Sequence, residues 1–197
     1  MSAESLILLL ASYLVGSLSA AIIVCKLMGL EDPRKDGSGN PGATNVKRLY
    51  GNKAAAITLA GDMLKGVIPV LIAMQMEQSA AVIMAVGFAA FIGHLYPVFF
   101  GFKGGKGVAT MMGVLLAVNF WTGLAVVATW LFVAKVLKIS SLSALVAAVL
   151  APVYFYFITA EMAYVQISVV MSVMLIWRHR SNIERLIKGE EDAIKKN

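Results

Sequence analysis

Six long apolar stretches constrain this chain more than any other feature. They run Leu6–Leu30, Ala54–Met76, Ala80–Phe100, Val108–Val136, Leu142–Ala160 and Met162–Trp177, with short polar segments between them. A helix needs about 20 predominantly apolar residues to cross the hydrocarbon core of a bilayer. The pattern therefore predicts an all-α, polytopic transmembrane helical bundle, formed as one integral membrane domain over residues 1–197. A water-soluble fold would have to hide several such runs. Composition argues against it: 59% of residues are hydrophobic and 14% charged, whereas soluble domains carry roughly a quarter charged residues.

The first stretch begins at Leu6 with no basic residue before it and is interrupted only by Lys26. It is longer than the apolar region of a signal peptide, about 7–15 residues, and lacks the basic lead-in. It is read as a retained helix. The single cysteine, Cys25, lies inside it. No internal disulfide is possible, and nothing near Cys25 in sequence would stabilise a thiolate.

Charge placement supplies the topology. Arg34, Lys35, Lys47, Arg48 and Lys53 follow the first stretch; Lys103 and Lys106, then Lys135 and Lys138, follow later ones, and six more basic residues follow Trp177. The other linkers carry only Glu4, Glu77 and Glu161. Basic loops stay on the cytoplasmic side, so the amino terminus is expected outside and the carboxyl terminus in the cytoplasm. That arrangement needs an odd number of crossings. Val108–Val136 spans 29 residues with Asn119 near its middle, and counting it as two short helices makes seven. Merging Leu142–Trp177 into one span makes five and leaves Lys135 and Lys138 outside. Seven is the preferred count. The tail from Arg178 is expected to continue the last span as helix and to fray at its charged end.

Three polar clusters fall on the cytoplasmic side. The first reads Gly37-Ser38-Gly39-Asn40-Pro41-Gly42-Ala43-Thr44-Asn45-Val46-Lys47-Arg48. Its glycines allow close backbone approach and N–H groups aimed at an anion. Ser38, Asn40, Thr44 and Asn45 add neutral hydrogen-bonding groups, and Arg48 adds a guanidinium suited to phosphate oxygens. A plain solvated linker is the alternative. The second cluster reads Phe102-Lys103-Gly104-Gly105-Lys106-Gly107-Val108-Ala109-Thr110, after Gly93-His94. It lacks the spacing of a nucleotide-binding P-loop, since Gly107 stands where Ser or Thr would be required. A glycine turn with two lysines at a helix start still suits a phosphate. His94 is either a ligand contact or a packed histidine.

The third cluster is Arg178-His179-Arg180-Ser181-Asn182-Ile183-Glu184-Arg185. On a helix, His179 and Asn182 would share a face, with Arg178, Asn182 and Arg185 along a stripe. His179 and Glu184 lie five apart and diverge by about 140° on a helix, so they form no dyad. An interfacial basic anchor is the alternative. Ser140, Ser141 and Ser143 open a span on the same side; capping accounts for them, substrate contact being the other possibility. Asp62 and Lys65, three apart in the second stretch, read equally as a structural pair or as a substrate site.

Taken together, these blocks resemble the bacterial acyl-phosphate:glycerol-3-phosphate acyltransferase family, the PlsY type. The resemblance rests on Asp32, Arg34, Gly37 to Asn40, Gly42 to Asn45 and Arg48; on Asp62, Lys65, Gly66 and Pro69; on Gly93-His94, Pro97 to Phe99 and Phe102 to Thr110; and on Arg178 to Arg180, Asn182-Ile183 and Arg185. Pro33 is a minor departure. It implies transfer of a fatty acyl group from acyl phosphate to the sn-1 hydroxyl of glycerol 3-phosphate, giving lysophosphatidic acid and inorganic phosphate. It places the active site at the cytoplasmic face of the bacterial inner membrane.

The resemblance further implies catalytic roles for Ser38, His179 and Asn182. Substrate binding would fall to Gly39, Asn40, Gly42, Thr44, Asn45, Arg48, His94, Lys103, Gly104, Gly105, Lys106, Gly107 and Ser143. The chemistry is consistent with these residues. Both substrates carry phosphate, and no Ser–His–acid or Cys–His arrangement for a covalent intermediate stands out. No cofactor is expected. The two histidines and scattered carboxylates make no metal-ligand spacing. Membrane lipids are the expected surroundings, with no nucleic-acid partner. The competing functions are a transporter of small phosphate compounds and a non-catalytic membrane scaffold.

Overall fold

The structure, a computed structural model, describes residues 2–194. Its elements are α1 (Ala3–Gly16), α2 (Ala20–Leu27), α3 (Ala43–Gln75), α4 (Ala80–Leu95), α5 (Val108–Val118), α6 (Phe120–Leu137), α7 (Ser140–Thr159), α8 (Met162–Arg178) and α9 (Arg180–Lys188), with a 3-10 turn at Val98–Phe100. No strand occurs among the described residues. Four helical segments are long and apolar enough to cross a membrane, Ala43–Gln75, Ala80–Phe100, Phe120–Leu137 and Ser140–Thr159. Two bent pairs, α1 with α2 and α8 with α9, raise the number to six. The helices group into two compact units, Met1–Val118 and Asn119–Asn197.

Several boundaries differ from the hydropathy pattern. The stretch Leu6–Leu30 is one apolar run but two helices, bent by 45°. At the break the Ser17 hydroxyl donates back to the Tyr13 carbonyl at 2.8 Å, the kind of side-chain bond that bends a helix. The second stretch was expected to become helical at Ala54, yet α3 begins at Ala43. Thr44, Asn45 and Arg48 therefore stand on a helix rather than in a loop. Hydropathy marks where a chain can enter lipid; it does not mark where polar residues start to wind. A kink at Gly51 (φ 85°, ψ −174°) separates this polar first segment from the apolar remainder, in a conformation reserved for glycine.

Unit one packs by close backbone approach. A Cβ on Gly16 would collide with the Ala90 carbonyl, and one on Gly93 with the Tyr13 carbonyl, so α1 and α4 meet through their smallest residues. Gly66 and Gly113 do the same for α3 and α5, against the Thr110 and Met63 carbonyls. Between helices that are equally apolar to lipid, such contacts and interhelical hydrogen bonds replace the hydrophobic drive. Ser12 Oγ donates to the Val86 carbonyl at 2.6 Å and Tyr13 Oη to the Tyr96 carbonyl at 2.9 Å. The outward side is apolar, with Ile7, Leu10 and Leu71 all exposed.

Unit two uses the same devices. Asn119 caps α6, its side chain accepting from Thr122 N at 2.9 Å, so the residue singled out in the Val108–Val136 run does interrupt it. Thr129 and Tyr154 hydroxyls join α6 to α7 at 2.7 Å, and Ser172 Oγ donates to the Ala148 carbonyl at 2.6 Å between α8 and α7. The tail departs from expectation. Helix α9 does not continue α8; it turns away by 59° at His179. Residues 190–194 lack regular structure, but they are held rather than frayed, with Ile194 N donating to the Lys138 carbonyl at 2.6 Å. Lys195, Lys196 and Asn197, the remainder of that expectation, lie outside the described residues.

Gly93→Ala forces a Cβ into the α1 backbone, and overpacking of this kind costs about 1–3 kcal/mol. Thermal unfolding in detergent is expected to show a clear fall in midpoint for this variant. Leu10→Ala on the lipid side should change stability by less than about 0.5 kcal/mol.

Candidate active site

The polar centre of unit one is built from α3, the end of α4 and the break between α1 and α2. Asp62 and Lys65 lie on one face of α3 with side chains 3% and 6% exposed. Lys65 Nζ stands 2.8 Å from Asp62 Oδ1 and donates to the Leu18 carbonyl at 2.8 Å. That carbonyl sits in the α1–α2 break. His94 Nδ1, from α4, is 3.5 Å from Asp62 Oδ1. These partners tie Asp62 and Lys65 into the scaffold, the arrangement of a structural pair.

The glycine-rich loop rests directly on His94. Gly105 N donates to the His94 carbonyl at 3.1 Å. A Cβ at Gly105 would collide with His94 Nε2, and one at Gly104 with the His94 carbonyl oxygen. Both glycines are thus required by close approach before any ligand is considered. Gly107 is buried against Phe91 and Leu95. Lys103 is exposed, Lys106 half-buried, and α5 begins immediately after Gly107. His94 itself is buried beneath this loop, which makes it a support for the glycine turn.

In the first cluster, the side chains divide by burial. Asn45 is 1% exposed. Its Oδ1 accepts from Ser38 N at 3.0 Å, and its Nδ2 donates to the Pro33 and Asp36 carbonyls at 2.9 and 3.2 Å. The amide is engaged in folding residues 33–38 into shape, so Asn45 acts as a loop clamp. Ser38, Gly39, Thr44 and Arg48 are exposed, with Asn40 and Gly42 half-buried. Thr44 and Arg48 are four apart, hence on one face of α3, and Gly42 is its N-cap. A helix N-terminus beside a guanidinium is suited to an anion.

A second clamp joins this loop to the other. Arg34 holds Asp32 through its Nε and terminal nitrogen, the shortest distance being 2.7 Å, and donates to the Phe100 carbonyl at 3.0 Å. The Arg34 side-chain hydrogen bond outweighs burial and holds the Asp32 carboxyl below its usual range. A depressed carboxylate pKa stabilises the fold above the ordinary value, and that contribution is lost only as pH falls through the lowered one.

His179, Asn182 and Ser143 belong to unit two. His179 is 3% exposed and sits at the α8–α9 turn. Its Nδ1 is 2.8 Å from the Leu175 carbonyl. A carbonyl only accepts, so Nδ1 carries the proton and the neutral ring has its lone pair on Nε2. Ser143 is fully buried, and its hydroxyl donates to the Ile139 carbonyl at 2.7 Å. That bond ties Ser143 to the N-cap of α7. Ser141 instead joins the polar cluster: its hydroxyl donates to Glu191 Oε1 at 2.6 Å, as does Asn182 Nδ2, while Arg185 Nε reaches Oε2 at 2.6 Å. Asn182 and Arg185 do share a face. Glu191 is missing from the sequence-based site. Gly189, left-handed at the end of α9, was the available signal that the tail turns back there. Burial raises the Glu191 pKa, but the three donors outweigh it and the carboxyl lies below its usual range.

Removing one partner of a buried ion pair strands the other, at a cost of about 3–5 kcal/mol. Lys65→Met should therefore lower the unfolding midpoint sharply in detergent, and adding Asp62→Asn should recover much of the loss. Equal stability of the single and double variants would contradict this account of the pair.

The chain can be compared with known proteins on this basis. A family model described as Glycerol-3-phosphate acyltransferase matches residues 6–189. A glycerol-3-phosphate acyltransferase from Hydrogenovibrio crunogenus is 67% identical over 186 residues, covering 94% of this chain and 89% of that protein. One from Thioalkalivibrio sulfidiphilus is 57% identical over 187 residues, covering 95% and 92%. The crystal structure of PlsY (YgiH), an integral membrane glycerol 3-phosphate acyltransferase, in its glycerol 3-phosphate form matches with a TM-score of 0.93 at 38% identity, covering 98% of this chain and 96% of that one. Its lysophosphatidic acid form matches with a TM-score of 0.90 at 38% identity, covering 96% and 95%. The sequence match runs through the glycine-rich loops and the His179–Asn182 cluster alike, and this chain belongs to the glycerol-3-phosphate acyltransferase family.

Proposed function

We propose that this chain transfers a fatty acyl group from acyl phosphate to the sn-1 hydroxyl of glycerol 3-phosphate, at the cytoplasmic face of the bacterial inner membrane. The observation that carries the proposal is the likeness, at a TM-score of 0.93, to PlsY in its glycerol 3-phosphate form. The two anion-suited helix starts of unit one support it, since both substrates carry phosphate. A transporter has no comparable support.

One phosphate is held by Ser38, Asn40, Thr44 and Arg48, with backbone contacts at Gly39 and Gly42. The other is held by Lys103 and Lys106 with the Gly104, Gly105 and Gly107 turn, which His94 supports. Asn45 acts indirectly, by fixing the backbone of Ser38. His179 and Asn182 serve the acceptor hydroxyl or the developing oxyanion. Acyl phosphate is already activated, so the hydroxyl oxygen attacks the acyl carbon directly and the bond from that carbon to the phosphate oxygen breaks. The hydroxyl proton passes to a substrate phosphate, whose second pKa of about 6 suits it as the acceptor, and phosphate departs as the leaving group. The protein contributes positioning and charge stabilisation.

The topology proposed with this function has seven crossings, an external amino terminus and a cytoplasmic carboxyl terminus. The distribution of Lys and Arg supports it. Helix α5 has 11 residues, about 16 Å at 1.5 Å per residue, or about half the hydrocarbon thickness. As a crossing it requires its glycine-rich lead-in to be recessed below the membrane surface. The burial of Gly104, Gly105 and Gly107 is in keeping with that position.

Purified protein in detergent is expected to release inorganic phosphate from palmitoyl phosphate only when glycerol 3-phosphate is present, with palmitoyl-CoA unable to substitute. Phosphate release that ignores glycerol 3-phosphate would overturn the reading. Arg48→Ala, at an exposed position, should raise KM for one phosphate substrate by about tenfold or more. The substrate whose KM rises identifies the phosphate held at the first loop.

A further inference from the structure

Arg34 ties the first polar loop to the glycine-rich loop, and it is fixed at both ends. On one side its guanidinium grips Asp32, with Nε 3.1 Å from each carboxylate oxygen and Nη2 2.7 Å from Oδ2. Asp32 Oδ1 also accepts from Arg34 N at 2.9 Å, which fixes the backbone carrying the guanidinium. The carbonyl of the preceding residue, Pro33, is held by Asn45, the same amide that holds Ser38 N. On the other side Arg34 Nη1 donates to the Phe100 carbonyl at 3.0 Å. Between Phe100 and Lys103 stand only Gly101 and Phe102, both left-handed, at φ 66° and 59°. A left-handed phenylalanine is strained and persists only where its surroundings hold it. Here Phe102 N donates to the Pro97 carbonyl at 2.9 Å, and Arg34 secures the carbonyl just before the reversal.

A guanidinium is planar, with its donors in fixed directions. The Asp32 carboxylate occupies the edge formed by Nε and Nη2, and this aims Nη1 at Phe100. A single bonded path therefore runs from Ser38 through Asn45, Pro33 and Arg34 to Phe100, three residues before Lys103. We propose that Arg34 is a positioning residue for acyl transfer, setting the first polar loop against the glycine-rich loop so that the two phosphate substrates meet at a fixed separation. This rests on the proposed reading in which each loop holds one phosphate. The acyl carbon and the attacking hydroxyl belong to different substrates, so the gap between them follows the gap between their anchors. A misplacement of about 1 Å can cost about a hundredfold in rate. Lysine could not replace Arg34, because one ammonium is a point charge and cannot hold a carboxylate edge and a carbonyl in fixed directions.

The test uses the full-length protein in detergent, with palmitoyl phosphate and glycerol 3-phosphate as substrates and phosphate release as the readout. Each variant is assayed well below its own unfolding midpoint, so that loss of folded protein does not enter kcat. Arg34→Met and Arg34→Lys are both expected to lower kcat by about tenfold or more, while KM for either substrate changes by less than about threefold. Asp32→Asn keeps an oxygen for Arg34 N but loosens the guanidinium, and should show the same split at smaller size. Because Asp32 acts through Arg34, adding Asp32→Asn to Arg34→Met should cause no further loss of kcat. Wild-type kcat in Arg34→Lys, a loss that appears as a raised KM for one substrate, or additive losses in the double variant would each overturn the proposal. A raised KM would mark Arg34 as a direct phosphate contact instead. Wild-type protein that fails to transfer the acyl group at all would sink the proposed function, a separate outcome. If Arg34→Met does not yield folded protein, Arg34→Lys and Asp32→Asn decide, and absence of the kcat-against-KM split in both counts against the proposal.

Discussion

The contact on which the first unit depends is the ammonium of Lys65 set between the Asp62 carboxylate and the Leu18 carbonyl. Taking either charge out of water alone costs several kcal/mol, so each is tolerable only beside the other. Leu18 lies in the α1–α2 break, where a carbonyl has left the helical ladder and needs a donor inside a region that offers no water. Lys65 supplies it. The bend in the first span and the charge pair in α3 are therefore one arrangement. His94 stands against the same Asp62 from α4 and carries the glycine-rich loop on its ring and carbonyl. A buried pair within α3 is thus linked through His94 to the backbone of the glycine-rich loop.

The same division of labour recurs around the polar clusters. Side chains whose hydrogen-bonding groups are spent on the protein hold backbone in place. Asn45 spends both edges of its amide on residues 33–38. Its neighbours Thr44 and Arg48 face outward from the same two turns. In unit two, Glu191 holds Asn182 and Ser141 in the way Asn45 holds Ser38. Each clamp is a planar group, an amide with a donor and an acceptor edge or a carboxylate that only accepts, which orients its partners as well as anchoring them.

The chain's sequence shows the apolar stretches plainly because each is long against the bilayer and charges are confined between them. Asn119 could be singled out as an interruption because it is the polar residue near the middle of its run, and it caps α6. The start of α3 was not legible, since Ala43 to Lys53 are too polar to register as a span yet wind as helix. Nor was the turn at His179. An unbroken helix through Arg178 to Arg185 satisfies local preferences, and the 59° bend leaves no mark in that pattern.

By itself, then, the sequence determined the membrane-embedded helical class, the residues that punctuate it and the three polar clusters, because hydropathy and charge act locally along the chain. Tertiary structure alone decided which members of each cluster are exposed and which are buried as clamps. Asn45, Ser143 and Glu191 show why. Whether an amide, a hydroxyl or a carboxylate is available depends on what its partners take, and those partners are 7 to 12 residues away for Asn45 and as many as 50 away for Glu191. No local pattern carries that information; it exists only once the donors and acceptors have been brought within about 3 Å of one another.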